Sequence, residues 1–195
     1  MIKFDNKILT ELIQNEITAA QLEIGFFKLG RNFEVIDVFE INDIYVENPT
    51  AEGYNFENSN FTIKERLEKL KMFNGWVHLA GGLSCGIKNQ IISDFRLSKK
   101  YIESINYFTR EDIINFNGKP DYELIDSMSG GMDYSIDNYI LVYESKGLNF
   151  FIDPDKNTLT EIYTGKLDKD KYEIRKPASG IKNGFQRMFN RGAKE

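Results

Sequence analysis

The stretch from Tyr139 to Tyr163 constrains this chain more than any other. Tyr139-Ile-Leu-Val-Tyr-Glu144, Leu148-Asn-Phe-Phe-Ile152 and Thr158 to Tyr163 are runs of β-branched, aromatic and aliphatic residues, separated by Ser145-Lys146-Gly147 and by Asp153-Pro154-Asp155-Lys156-Asn157. Short apolar runs divided by turn-forming clusters pair with their sequence neighbours, because an antiparallel partner needs no long crossover. A three-strand meander is therefore expected here. It needs other elements to cover its apolar face.

Those elements are written upstream. Leu9, Leu12, Ile13, Ile17 and Ala20 recur at helical spacing and predict a helix over 6–21. Residues 22–46 turn β-branched and aromatic and predict two or three strands, with Gly30-Arg31-Asn32 as a turn, and the polar stretch 48–60 reads as a loop. Thr62-Ile63-Lys64-Glu65 is a capping box, and Ile63, Leu67 and Leu70 behind it predict a helix over 62–73. Residues 75–95 read as strand, glycine-rich turn, strand. Thr109-Arg110-Glu111-Asp112 opens a further helix over 109–117, which Gly118 and Pro120 stop. Residues 121–137, with Gly130-Gly131, read as a loop, and no repeat of fixed period is visible. The fold class expected is α+β: a largely antiparallel sheet with packed helices, ending in the meander and a basic tail. One domain spans 1–179, and 180–195 form an amphipathic appendage with Ile181, Phe185, Met188 and Phe189 on one face and Lys182, Arg187, Arg191 and Lys194 elsewhere.

With 195 residues, 41% of them hydrophobic, the chain can bury a core without staples. No apolar run approaches the roughly 20 residues that span a bilayer, and the first residues lack the layout of a secretory signal. Together with the lone Cys85, this points to the cytoplasm. Charge is uneven: residues 1–60 carry four Lys and Arg against eleven Asp and Glu, whereas 171–195 carry seven against two. An acidic first third disfavours nucleic acid as a partner of the main domain, since binding a polyanion depends on Lys and Arg replacing its counterions. The tail could touch an anionic membrane peripherally or fill a partner's groove.

Thr109-x-Glu111-Asp112-Ile113, Gly118-Lys119-Pro120-Asp121 and Tyr143-x-Ser145-Lys146-Gly147-Leu148-x-Phe150 together resemble the helix-plus-hairpin modules of BamE/SmpA-type bacterial outer-membrane-assembly lipoproteins and of small immunity-type proteins, over about residues 109–163. The resemblance implies a fold used to bind other proteins. It does not extend to membrane anchoring, because a lipidated N-terminal Cys behind a signal peptide is missing.

Candidate chemistry gathers around one glycine-rich stretch. Gly82-Leu83-Ser84-Cys85-Gly86 has the spacing of a nucleophile elbow, but that motif leads into a helix and takes its His from downstream, and His78, the one His in the chain, lies upstream. A tight glycine turn between strands is therefore the expected reading. Gly81, Gly86 and Lys88 miss phosphate-loop spacing by one residue. His78 and Cys85 could form a thiolate pair across the turn. One Cys and one His do not complete a zinc site, and no cofactor is implied. Asp121, Glu123, Asp126, Asp133 and Asp137 fit no EF-hand spacing and read as solvated loop acids.

The function expected is therefore a protein-binding module, of inhibitor or immunity type, that occludes a basic site on another protein. Asp37, Glu40, Asp43, Glu47, Glu52 and Glu57 are the expected partner contacts. The alternatives are a hydrolase-type enzyme built on Ser84, Cys85 and His78, and a structural or sensory component of a larger assembly.

Overall fold

A computed structural model describes residues 6–33, 41–46, 62, 65, 74–102, 107–128 and 135–174. The expected 62–73 helix lies outside them except at its start, where Thr62 and Glu65 close the capping box: Thr62 N donates to Glu65 Oε2 at 2.7 Å and Glu65 N to Thr62 Oγ1 at 3.3 Å. The 48–60 loop and the 180–195 tail also lie outside.

Helix α1 (Asn6–Ile13) stops well before residue 21. Asn15 takes a left-handed conformation (φ 62°), Glu16 N donates to Glu11 O and Asn15 N to Leu12 O, which is a Schellman termination. Strands β1 (Glu23–Ile24) and β2 (Phe27–Lys28) form a small hairpin. Then come β3 (Ile41–Val46), β4 (Gly75–Leu79), β5 (Leu83–Lys88) and β6 (Ile91–Leu97). The 75–95 stretch thus holds three strands and a second, two-residue turn. Asn89 and Gln90, both at positive φ, make that turn without a glycine.

The short helix α2 (Lys99–Ile102) leads to α3 (Arg110–Asn117), capped as expected: Thr109 N and Oγ1 donate to Asp112 Oδ2 at 2.9 and 2.7 Å, and Gly118 (φ 80°) ends it. The 121–137 loop is corrected by β7 (Tyr122–Met128), which pairs along β8 (Ser135–Tyr143). Its acids are not simply solvated, since Glu123 Oε1 receives Arg110 Nη2 at 2.7 Å and Asp121 Oδ2 accepts from Glu144 N at 2.8 Å. The meander follows as β8, β9 (Leu148–Asp153) and β10 (Thr158–Thr164), and β11 (Glu173–Ile174) pairs back on β7.

Among the described residues these strands form one antiparallel sheet in the order β3-β4-β5-β6-β10-β9-β8-β7-β11. The α+β class therefore holds. Helices and the β1–β2 hairpin cover one face, where Leu9, Leu12, Ile13, Ile113 and Tyr101 pack with Val77, Cys85, Phe95, Phe150 and Ile162.

The sheet also contains a structural repeat. Val77 faces Cys85 as Leu141 faces Phe150, and His78 faces Ser84 as Val142 faces Asn149. One residue is bulged at the same step in each half. Ser93 lies between the pairs Ile87↔Ile92 and Gly86↔Asp94, and Thr160 lies between Ile152↔Leu159 and Phe151↔Glu161. Both bulge hydroxyls lie against the carbonyl across the ladder, Ser93 Oγ 3.2 Å from Gly86 O and Thr160 Oγ1 3.1 Å from Phe151 O. The last strands of the two halves run side by side with Arg96 opposite Tyr163, Leu97 opposite Ile162 and Phe95 opposite Thr164. A pseudo-two-fold axis thus passes between Arg96 and Tyr163, the arrangement of an isologous contact within one chain. Unequal turns hide the repeat from a search for fixed period: two residues join β5 to β6, and four join β9 to β10.

Helices α1 and α3 meet where buried Asn117 donates Nδ2 to Ile13 O at 2.8 Å and to Ile113 O at 3.1 Å, and where Lys146 Nζ donates to Asn117 Oδ1 at 3.1 Å. Asn117→Ala should leave the Ile13 carbonyl unpaired and cost about 2 kcal/mol. Urea unfolding with an unchanged slope and a lowered midpoint is the expected reading.

Candidate functional site

Strand alternation decides which side chains can act together. Val77, Cys85 and Phe95 point into the core, so Trp76, His78, Ser84, Gly86, Asp94 and Arg96 share the opposite, outward face. Glu161 and Tyr163 continue it across the seam.

Ser84 and His78 do meet, with His78 Nδ1 at 2.8 Å from Ser84 Oγ. They stand directly opposite on β4 and β5, so the contact follows from register. Ser84 sits within a strand and not on a strand-to-helix turn, and the expected glycine turn between strands falls at Gly81 and Gly82, with Gly86 in the strand beyond it. Trp76 lies against Gly86. A Cβ there would come within 3.1 Å of Trp76 Cη2 and 3.2 Å of Asp94 Cβ. A strand glycine of this kind marks a close approach.

The Cys85–His78 pair is corrected. Adjacent residues of a strand point to opposite faces, and Cys85 is fully buried in the core while His78 is half-buried outside. Burial pushes the Cys85 thiol well above its ordinary range, which suppresses the thiolate. No group of His, Cys, Asp and Glu among the described residues could hold a metal ion.

Two polar pairs stitch the seam on the outward face. Arg96 Nε donates to Glu161 Oε1 at 2.6 Å, and the Tyr163 hydroxyl donates to Asp94. Asp94 and Glu161 are equivalent positions of the two halves, as are Arg96 and Tyr163, so the pairs cross the axis symmetrically. Burial raises the Glu161 carboxyl pKa, with Arg96 opposing. Burial and the nearby Asp94 charge lift the Tyr163 phenol to about 12. Trp76 and Tyr163 rings lie 6.1 Å apart, and Tyr45, 58% exposed, stands opposite Trp76 on β3.

Beyond the axis the outward face changes character. Leu124, Ile140, Val142 and Phe151 form a second apolar cluster, closed by Tyr163, Leu167 and Tyr172. Ile140 and Val142 stand where the first half has Trp76 and His78, and Phe151 where it has Gly86.

Of the expected partner contacts, Asp43 lies in β3 opposite His78. Asp37, Glu40, Glu47, Glu52 and Glu57 lie outside the described residues. The aromatic pair Tyr45 and Trp76 was missed as a candidate, although their alternation with Ile44 and Val77 was visible. No family model, curated protein or solved structure matches the chain.

Cys85 should resist a disulfide-exchange reagent such as dithionitrobenzoate in the native protein and react stoichiometrically in urea. Rapid native reaction would mean that the core opens at β5. Glu161 supplies a second test. A carboxyl with a raised folded pKa binds its proton more tightly in the native state, so its contribution to stability is present at low pH and is lost as pH rises from the ordinary Glu range through the folded value. Urea midpoints of wild type relative to Glu161→Gln should therefore decline across that window. A relative rise would show that Arg96, not burial, dominates.

Proposed function

We propose that the chain is a cytoplasmic protein-binding module, of inhibitor or immunity type, that covers a basic site on its partner. The observation that carries this reading is the aromatic and charged outward face of the first half-sheet. Tyr, Trp and Arg are the side chains that dominate binding energy at protein interfaces, because they combine large contact area with polar ends. Tyr45 and Trp76 stand together there with His78 and Asp94, and Arg96 borders them at the seam, its guanidinium over the Phe151 ring. β3 also supports the acidic contacts expected from sequence: it carries Asp43, and Glu40 and Glu47 immediately flank it. Negative charge beside aromatic anchors suits a basic partner, with steering that speeds encounter.

The second reading, a hydrolase using Ser84 and His78, draws support from their 2.8 Å contact. Against it, a mid-strand serine lacks the exposed turn that presents a nucleophile. Cys85 takes no part in either reading.

The test begins with capture of a partner from the native host. Tyr45→Ala should weaken capture by about tenfold or more, as loss of an interface anchor does, and Phe26→Ala, on the β1–β2 turn, should not. Reversal of Glu40, Asp43 and Glu47 to Lys should slow association, and added salt should do the same to the unmodified chain. An acidic partner indifferent to all four positions would refute the proposal. Labelling of Ser84 by a fluorophosphonate probe would favour the hydrolase instead.

A further inference from the structure

The two-fold relation leaves one polar position on the outward face without its counterpart. Glu161 holds its own cation, with Arg96 Nε at 2.6 Å. Asp94 is the equivalent carboxylate in the other half, but Tyr163 stands where an equivalent of Arg96 would be. Asp94 therefore receives hydroxyls, from Ser93 Oγ at 2.7 Å and from Tyr163, and has no basic partner among the described residues. Arg96 does not turn back to it, because its guanidinium lies 5.9 Å over the Phe151 ring on the far side of the seam.

A flat aromatic surface adjoins this carboxylate. The Trp76 ring atoms Cη2 and Cζ2 and the Asp94 Cβ converge on Gly86, within 3.1 to 3.2 Å of where its Cβ would be. Trp76 is only partly buried, and Tyr45 beside it is 58% exposed. In the second half the same place is filled by Phe151 and sealed by Leu167 and Tyr172. In the first half the chain after β6 enters α2 and packs Tyr101 and Ile102 into the core on the opposite face. Among the described residues one half is closed by its own chain, and the other sets a half-buried indole next to a carboxylate.

We propose that Trp76 and Asp94 form a receptor for one arginine or lysine side chain presented by the partner protein. The inference rests on the protein-binding reading above and names the chemistry of its anchor. The cation stacks on the indole, where the ring quadrupole attracts it, and donates to a remaining lone pair of Asp94, whose Oδ2 also accepts from Ser93 and whose Oδ1 lies against Gly165. It completes in this half the pair that Arg96 and Glu161 make in the other. Arginine fits better than lysine, because its planar fork stacks and donates at once.

Trp76 is the single tryptophan of the chain, so its fluorescence and indole N–H resonance report on this position alone. The full chain is titrated with a capped Gly-Arg-Gly-Arg-Gly peptide, with a twin carrying citrulline in place of arginine, and with a twin carrying glutamate. The arginine peptide should move both Trp76 signals saturably and bind about tenfold more tightly than the citrulline twin. The glutamate twin should leave them unmoved. Asp94→Asn, which keeps the side-chain shape, should bring arginine binding down to the citrulline level, with a thermal melt confirming that the variant is folded. Equal binding of arginine and citrulline, or an Asp94→Asn protein that binds like wild type, would overturn the receptor. If that happened while partner capture still required Tyr45, the protein-binding reading would survive without it. Arginine binding lost in Asp94→Asn, beside capture that ignores Tyr45, would keep the receptor and sink that reading.

Discussion

Everything in this structure depends on the antiparallel seam between β6 and β10. Each half alone is a four-strand antiparallel unit, extended in the second by β11, and would leave β6 or β10 as an open edge that invites unwanted pairing. Laying the two edges against each other satisfies both ladders and makes a continuous sheet long enough to support the helices. Side chains reinforce the seam on both faces. Phe95 N donates to the buried Thr164 hydroxyl at 2.8 Å and Arg96 reaches Glu161, while Asn149 Nδ2, from β9, holds the β10 end of the seam in place through Tyr163 O and Gly165 O at 3.1 and 2.7 Å. Gly165 is small for a related reason: a Cβ there would collide with Asp94 Oδ1 and the Tyr163 ring.

A two-fold seam would produce two equivalent outward faces, and the side chains break that equivalence. The second half carries Ile140, Val142 and Phe151 and is sealed by Leu167 and Tyr172, whereas the first carries an indole, an imidazole and a bare glycine, Trp76, His78 and Gly86, at the same backbone positions. The repeat supplies rigidity, since both halves share register and bulge. The side chains make the two outward faces chemically distinct. Side chains on paired strands are held more firmly than side chains on a loop.

Local signals were legible wherever a few adjacent residues decide the outcome. The Thr109 to Asp112 cap, the Gly118 stop and the meander turns each depend on backbone chemistry within one turn, and each formed as expected. Signals that depend on a partner strand were not. Tyr122-Glu-Leu-Ile-Asp-Ser-Met looks too acidic for a strand, yet pairing with β8 and the Arg110 contact at Glu123 stabilise it. Asn15 reads equally well as a helix interior or a left-handed stop, and Asn89-Gln90 carries no glycine to announce its turn. The repeat was obscured because its halves share register while differing in turn length.

The sequence by itself determined that this chain is α+β, that its C-terminal half meanders and that its first third is acidic, because composition, periodicity and capping act over short distances. Only the tertiary structure decided that Ser84 meets His78 while Cys85 turns into the core, and that Asp94 and Glu161 are counterparts with different partners. Those facts are set by strand parity and by register between segments some 65 residues apart, which hydrogen-bonded pairing fixes only when the whole sheet is assembled.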